Sequence, residues 1–329
     1  MQRDAHVSGL YWHTELESAK AAAAAQGRPI LALRLRGNLN EEQSCANSRF
    51  FRTTLYANTG IAADLRSQYV LHWQSMSPAP RMTIDFGNGR TIERTITGNS
   101  VHYILNGHAV PLAVIPGLIS PAEFADKLKK SAGLAKQLRV LSSEEQGRVL
   151  QSHHETAVKE LERSFETLLH DFAGVSENGG EIMSMWTAGT LTEESLAPST
   201  WARLANGIKP SLQFDTPSTW LIFSKAPATE EAGRIAQSKA IVETPAMKMM
   251  GNLTLFVSQD TLINKHLLAP RIHGWFTGGS SFVKEVSALN ERVYTQRFRM
   301  PPSDPWLGLA QPDIFSALPA NGLAGTVAP

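Results

Sequence analysis

Helix-start signals alternate with short apolar runs over the first 130 residues of this 329-residue chain, and this alternation constrains the fold more than any other feature. A capping-box pattern at Thr14 and Glu17 precedes the alanine-rich run 21–25 and predicts a helix that ends at Gly27. The run 29–35 is apolar and begins at a proline, as expected of a buried strand. Alternating helices and strands of this kind are typical of an α/β domain.

The same kinds of signal continue to about residue 135. They first predict a helix capped by Ser44, a helix capped by Asn58 or Thr59, and a strand at 69–73. A loop and hairpin at 75–98 follow. Strands at 101–105 and 109–114 are then joined by an Asn106-Gly107 turn, and Ser120 begins a last helix. The expected order is therefore α-β-α-β-insert-β-β-α.

Beyond residue 140 the pattern becomes mainly helical. Ser142 and Glu145 form a second capping box, and a long apolar stripe follows it to Phe172. We predict an α/β domain at 10–135, a mainly α-helical domain at 140–315, and an irregular tail rich in Ala, Gly and Pro at 316–329.

Composition excludes some classes of function. The 31 basic and 30 acidic residues nearly cancel, and no basic block stands out, so binding to nucleic acid is not expected. No apolar run reaches the roughly 18 residues of a membrane span. The polar start lacks the apolar core of a signal peptide, which favours the cytoplasm, or the periplasm if a signal peptide has been removed.

Cys45 is the only cysteine of the chain. An intrachain disulfide is therefore impossible, and a cysteine-based metal cluster is not expected. Any redox chemistry must involve a second molecule.

Several short motifs follow one another in a fixed order in the first third of the chain. They are Trp12, the run to Ala25, Arg28-Pro29, the strand to Leu35, Cys45-Ala46-Asn47-Ser48, the segment 98–105, and Asn106-Gly107. This order resembles the bacterial branch of the thioredoxin superfamily over residues of about 10 to 130. The resemblance implies a thioredoxin-like fold with a candidate thiol site at Cys45, Asn47 and Ser48.

Two departures from the family pattern matter for function. Ser48 occupies the place of the second, resolving cysteine, so a dithiol–disulfide cycle within the domain is impossible. Asn99 and Ser100 stand where such domains carry a cis-proline. A cis bond before a residue other than proline costs roughly 2.5 to 4 kcal/mol, so we predict a trans peptide there.

Cys45 has two interpretations. At the start of a helix, its pKa would be lowered by the helix dipole, with help from Arg49 and Arg52, and the side chains of Asn47 or Ser48 could donate hydrogen bonds to the sulfur. The alternative is a small, semi-buried and inert residue. His102, just after Asn99 and Ser100, would lie near Cys45 and could steady a thiolate, or could be an ordinary strand histidine.

Three functions remain open from the sequence. The first is a non-catalytic or weakly redox-active protein that acts through protein–protein binding or self-assembly. The second is a monothiol exchange protein that uses Cys45 with a partner thiol or glutathione. The third, and least favoured, is a soft-metal site for copper built from Met247, Met249 and Met250 with His266 and His273. No cofactor is predicted, and enzymatic activity is left open.

Overall fold

The computed structural model describes residues 5–41, 44–95, 98–207 and 256–306. In the first part of the chain the elements are α1 (Ala5–Ser8), α2 (Leu16–Gln26), β1 (Ile30–Arg36), α3 (Ala46–Phe50), α4 (Thr59–Gln68), β2 (Val70–Ser77), β3 (Arg81–Asp85), β4 (Thr91–Thr95), β5 (Ser100–Leu105), β6 (Pro111–Pro116) and α5 (Pro121–Leu138). A π-helical turn, Phe51–Leu55, continues α3.

All regular elements of the second part are helical within the described ranges. Its elements are α6 (Ser143–Ala173), α7 (Gly179–Thr187), α8 (Pro198–Gly207), a helical stretch at 256–263 that passes through a π-helical turn (Asn264–Leu268) into α9 (Ala269–Thr277), a 3₁₀ turn (Ser281–Lys284), α10 (Val286–Arg292) and a π-helical turn (Val293–Arg297). An α/β region followed by a helical region is thus confirmed. The tail at 316–329 lies outside the described residues.

Four strands form one mixed sheet in the order β2-β1-β5-β6. β1 runs parallel to β2 and antiparallel to β5, and β6 is antiparallel to β5. All seven residues of β1 are buried, because it lies in the middle of the sheet and both of its faces are covered.

The two faces of the sheet are covered by different parts of the chain. Leu31, Leu33 and Leu35 face one core, which is completed by apolar residues of α3, α4 and α5 such as Phe50, Leu65 and Phe124. Ile30 and Ala32 face the other core. That core is completed by Ala19 and Ala23 of α2 and by residues of the second half, including Ile272, Phe276, Leu289 and Val293. The C-terminal helices therefore form a layer on the sheet.

The second half also has a core of its own. Phe165 and Leu169 of α6 pack there with Ile182, Trp201 and Leu262. The capping box at Ser142 and Glu145 begins α6 as predicted. None of the helices in the described ranges is long and apolar enough to cross a membrane.

Most of the helix ends follow the sequence signals, but two differ. Gly27 ends α2 with a φ of 64°, as predicted. The capping box at Thr14 and Glu17 is wrong, because His13 pairs with β2 at the sheet edge and holds the next residues extended, so that α2 begins at Leu16. The cap of α3 is Cys45 and not Ser44.

The predicted hairpin at 75–98 is confirmed as a separate two-stranded ribbon, β3–β4, outside the main sheet. Its strands are joined by a turn in which Asn88 and Gly89 have φ values of 50° and 77°. An Asn-Gly pair accepts such left-handed backbone at low cost.

Candidate functional site

Cys45 lies at the N-terminus of α3 and is fully enclosed. Its backbone is extended, with φ −60° and ψ 161°, and its Sγ accepts a hydrogen bond from the backbone N–H of Ser48 at 3.4 Å. The exposed fraction of the residue is 0%. The thiol therefore acts as a helix cap and cannot be reached by a reagent in this conformation.

Burial raises the pKa of the Cys45 thiol. The backbone N–H groups of Ser48 and Asn47 and the charges of Arg49 and Arg52 act in the opposite direction, but the loss of solvation outweighs them. The lowered pKa expected from the helix N-terminus is therefore wrong, because that expectation did not include burial. At neutral pH the sulfur is a protonated thiol.

Gly98 forms the wall on one side of the sulfur. A β-carbon built on Gly98 would lie 2.2 Å from Cys45 Cβ and 3.1 Å from Cys45 Sγ, so only glycine permits this approach. No cis peptide bond occurs within the described ranges, so the bond between Asn99 and Ser100 is trans, as predicted.

None of the polar side chains around Cys45 donates a hydrogen bond to the sulfur among the described residues. Asn47 Nδ2 donates to Ser100 Oγ at 3.0 Å, so the Asn47 side chain does not point its donor at the sulfur. The hydroxyls of Ser44 and Ser48 are buried and have no hydrogen-bond partner among the described residues. The donor to the sulfur is thus the Ser48 backbone, and not the side chains that the sequence suggested.

His102 is held in an aromatic pocket. Its Nε2 lies 2.6 Å from the Tyr56 hydroxyl, and its ring packs edge-on against Phe51 and Phe124. Burial lowers the pKa of His102 to about 3. A neutral imidazole carries no charge with which to steady a thiolate, so this arrangement favours the packing role over the catalytic one.

The second half of the chain covers the loop before β5. The Tyr294 hydroxyl donates to the Asn99 carbonyl at 3.0 Å, and Asn99 Nδ2 lies 3.1 Å from Met300 Sδ. Arg36, which is fully buried, donates through Nη2 to the Met300 carbonyl at 3.0 Å. These contacts fix residues 294–300 over the loop that encloses the sulfur.

A polar cavity of about 230 Å³ borders this loop. Asn47, Gly98 and Asn99 line it from the first half, and Asp260 and Glu193 line it from the second. Asp260 keeps an exposed surface, but the surrounding protein removes part of its solvation, and this loss together with the charge of Glu193 raises its pKa to about 6. Asp260 lies inside the helical stretch 256–263.

The histidines proposed as metal ligands are instead packed in pairs or against backbone. His273 Nδ1 lies 2.6 Å from His154 Nδ1, and His266 Nδ1 lies 3.2 Å from the Leu161 carbonyl. Met247, Met249 and Met250 lie outside the described residues. Among the residues that are described, no group of three or more His, Cys, Asp or Glu is placed to hold a metal ion.

The structure brings Cys45, Asn47 and Ser100 together and places Gly98 and Asn99 over them. Comparisons with protein-family models, curated proteins and solved structures found no match to this chain. What the site can do must therefore follow from its chemistry: a protonated thiol at a helix N-terminus, enclosed by backbone and by the second half of the chain.

Proposed function

We propose that this chain is a thioredoxin-like protein that has lost its dithiol chemistry and acts by binding a protein partner or by self-assembly. One observation carries the proposal: Cys45, the only sulfur at the thioredoxin-like motif, has an exposed fraction of 0%. The observed order of strands and helices also agrees with the order expected of such a domain.

Burial opposes thiol–disulfide exchange for two physical reasons. The attacking thiolate must approach a disulfide in line, and Gly98 occupies the space beside Cys45 Sγ. The raised pKa of Cys45 also lowers the fraction of thiolate at neutral pH. Since Ser48 stands in the resolving position as well, we infer that the domain contributes a folded surface that binds a partner.

The second candidate is a monothiol exchange protein, and the local geometry around Cys45 gives it some support. Backbone N–H groups of Asn47 and Ser48 and the charge of Arg49 all favour a thiolate. If the loop at 98–100 moved away, burial would no longer oppose them. This function requires the loop to open, so it is distinguished from the first by the accessibility of the thiol.

Alkylation of the native protein by iodoacetamide over a range of pH separates the two functions. We expect labelling of Cys45 to be much slower than in the urea-unfolded chain, with a midpoint above the roughly 8.5 of an unperturbed thiol. Rapid native labelling with a midpoint below that value would favour exchange and overturn the binding proposal.

Substitution of the thiol gives the second test. In Cys45→Ser the hydroxyl can still cap α3, so folding is preserved while nucleophilic sulfur is lost. We expect the association state of this variant, measured by sedimentation velocity, to equal that of the wild type. Loss of assembly in a variant with a wild-type circular dichroism spectrum would show that the sulfur is required.

A further inference from the structure

The β3–β4 ribbon projects from the fold with β3 on its outer side. All five residues of β3 are exposed, whereas Ile92 and Thr95 of β4 are partly covered. Thr95 Oγ1 accepts from Arg49 Nη2 at 3.3 Å and donates to the Ser44 carbonyl at 3.2 Å, which ties β4 to the body. In the described part of the chain, β3 pairs with β4 alone.

The unpaired backbone groups of β3 belong to alternate residues. The Phe86 amide donates across the ribbon to the Arg90 carbonyl at 3.0 Å. Since hydrogen-bonding directions alternate along an antiparallel strand, the amides of Ile84 and Met82 also face β4. Those of Arg81, Thr83 and Asp85 therefore face the open edge, where another strand can pair with them.

The sequence of β3 is complementary to itself when read in the opposite direction. Centred on Thr83, an antiparallel pairing of two copies sets Arg81 opposite Asp85 twice and Met82 opposite Ile84 twice. Opposite charges and apolar pairs directly across a sheet are stabilising. In this register the two copies of Thr83 lie opposite each other. They can form a hydrogen-bonded pair, because the Thr83 amide of each copy faces the open edge.

The strand β4 does not have this property. Centred on Glu93, two copies of β4 would set Glu93 against Glu93 and Ile92 against Arg94. Like charges directly opposite each other are destabilising. The complementarity is therefore specific to the exposed strand.

We propose that the β3 edge pairs with β3 of a second copy of this chain, so that two ribbons join into one four-stranded antiparallel sheet about a twofold axis. This inference rests on the assembly role proposed above and names its partner and surface. Met82 and Ile84, which are 42% and 39% exposed in the single chain, lie side by side across the joint. Closed pairing also removes an open edge that would otherwise favour aggregation.

The interface is small, since each copy contributes one strand of five residues. We therefore expect a reversible monomer–dimer equilibrium that depends on concentration. Arg81 also lies 3.6 Å from Glu41, but an exposed pair of this kind contributes little and does not compete strongly.

Charge reversal tests the register. Arg81→Asp or Asp85→Arg alone places like charges opposite each other twice, and each should lower the association constant, measured by sedimentation velocity, by about tenfold or more. Equal amounts of the two variants mixed together should associate as a heterodimer, because each then meets the opposite charge. Arg90→Asp, an exposed change in the turn outside the pairing register, is the matched control and should associate like the wild type.

Backbone substitution tests the edge itself. Thr83→Pro removes the outward amide while leaving the β3–β4 hydrogen bonds, and it should give a monomer. Thr83→Ala keeps the amide and should still associate. Unchanged association in both charge variants and in Thr83→Pro would overturn the edge pairing but leave assembly through another surface. A wild-type protein that stays monomeric at every concentration would also overturn the edge pairing. The proposed function would then be tested separately by the alkylation of Cys45.

Discussion

The backbone of Gly98 lies against the side chain of Cys45 so closely that a β-carbon on Gly98 would stand 2.2 Å from Cys45 Cβ. Main chain thus closes this side of Cys45, and apolar side chains of the same core surround the rest of it. Exposure of the thiol from the Gly98 side would require movement of the loop before β5.

Gly98→Ala is therefore expected to destabilise the fold. The added methyl must displace either the loop or the start of α3, which should lower the free energy of unfolding by about 1 to 3 kcal/mol. Urea denaturation followed by circular dichroism measures the change. Cys45→Gly removes the opposing β-carbon, so Gly98→Ala should cost much less stability in a Cys45→Gly background than in the wild type. Wild-type stability in Gly98→Ala alone would contradict the close contact.

Ser48→Cys should create a pair of cysteines that can form a disulfide. Residues three apart share a face of a helix, and the Ser48 hydroxyl has no hydrogen-bond partner in the described part of the chain, so its replacement by sulfur breaks no bond. When the urea-unfolded variant is refolded in the presence of diamide, which reaches the thiols before they are buried, we expect both thiols to be lost without dimer formation. Ser44→Cys is the matched control, since Ser44 is equally buried and unpaired but adjacent to Cys45. Retained thiols in Ser48→Cys refolded in this way would count against the proposed thioredoxin-like geometry of residues 45–48.

Local signals were enough to predict the elements that surround the site. Asn58 and Ser120 cap α4 and α5 as expected, because each side chain accepts a hydrogen bond from the N–H three residues later. The apolar runs at 29–35 and 101–105 became neighbouring strands of one sheet. These features depend on residues close together in the chain.

The burial of Cys45 could not be predicted in the same way. The loop that covers it is held by Tyr294 and Met300, which lie some two hundred positions further along the chain. No periodicity or capping pattern connects such distant segments. The cavity at Asp260 was missed for the same reason, and the pKa expected for Cys45 was wrong because a helix dipole was weighed without the cost of burial.

Tyr294→Phe should loosen this cover by a small amount. The lost hydroxyl donates to the Asn99 carbonyl at 3.0 Å, and that carbonyl also accepts from the Arg36 backbone N–H at 3.3 Å, so it is not left unpaired. We expect a loss of about 0.5 to 1.5 kcal/mol in unfolding free energy and faster alkylation of Cys45. Tyr11→Phe, at a tyrosine that is 76% exposed, should change neither quantity. Equal effects in the two variants would contradict the specific role of Tyr294.

Acidification should destabilise the protein through its buried histidines. These are His72, His102, His154, His266 and His273, and burial lowers the pKa of each below its ordinary value. The pKa is about 4 for His72 and about 3 for His102, His154 and His266. It lies well below 6.5 for His273. The unfolded chain binds protons at these sites below about pH 6.5, whereas the folded chain does not. The stabilising contribution of these neutral histidines is therefore fully present above about pH 6.5. It falls as the pH decreases towards their pKa values in the folded state, by up to about 1.4 kcal/mol of unfolding free energy per histidine per pH unit.

Urea denaturation between pH 7.5 and 5 measures this decline in the free energy of unfolding. Replacement of His154 and His273 tests whether buried histidines cause it. Their Nδ1 atoms lie 2.6 Å apart, so replacing both by leucine removes both partners of one hydrogen bond and leaves neither unpaired. The double variant should lose the contribution of two protons to the slope of stability against pH. His108→Gln, at an exposed turn, should keep the wild-type slope. If the double variant kept it as well, the two buried histidines would not be neutral in the folded state.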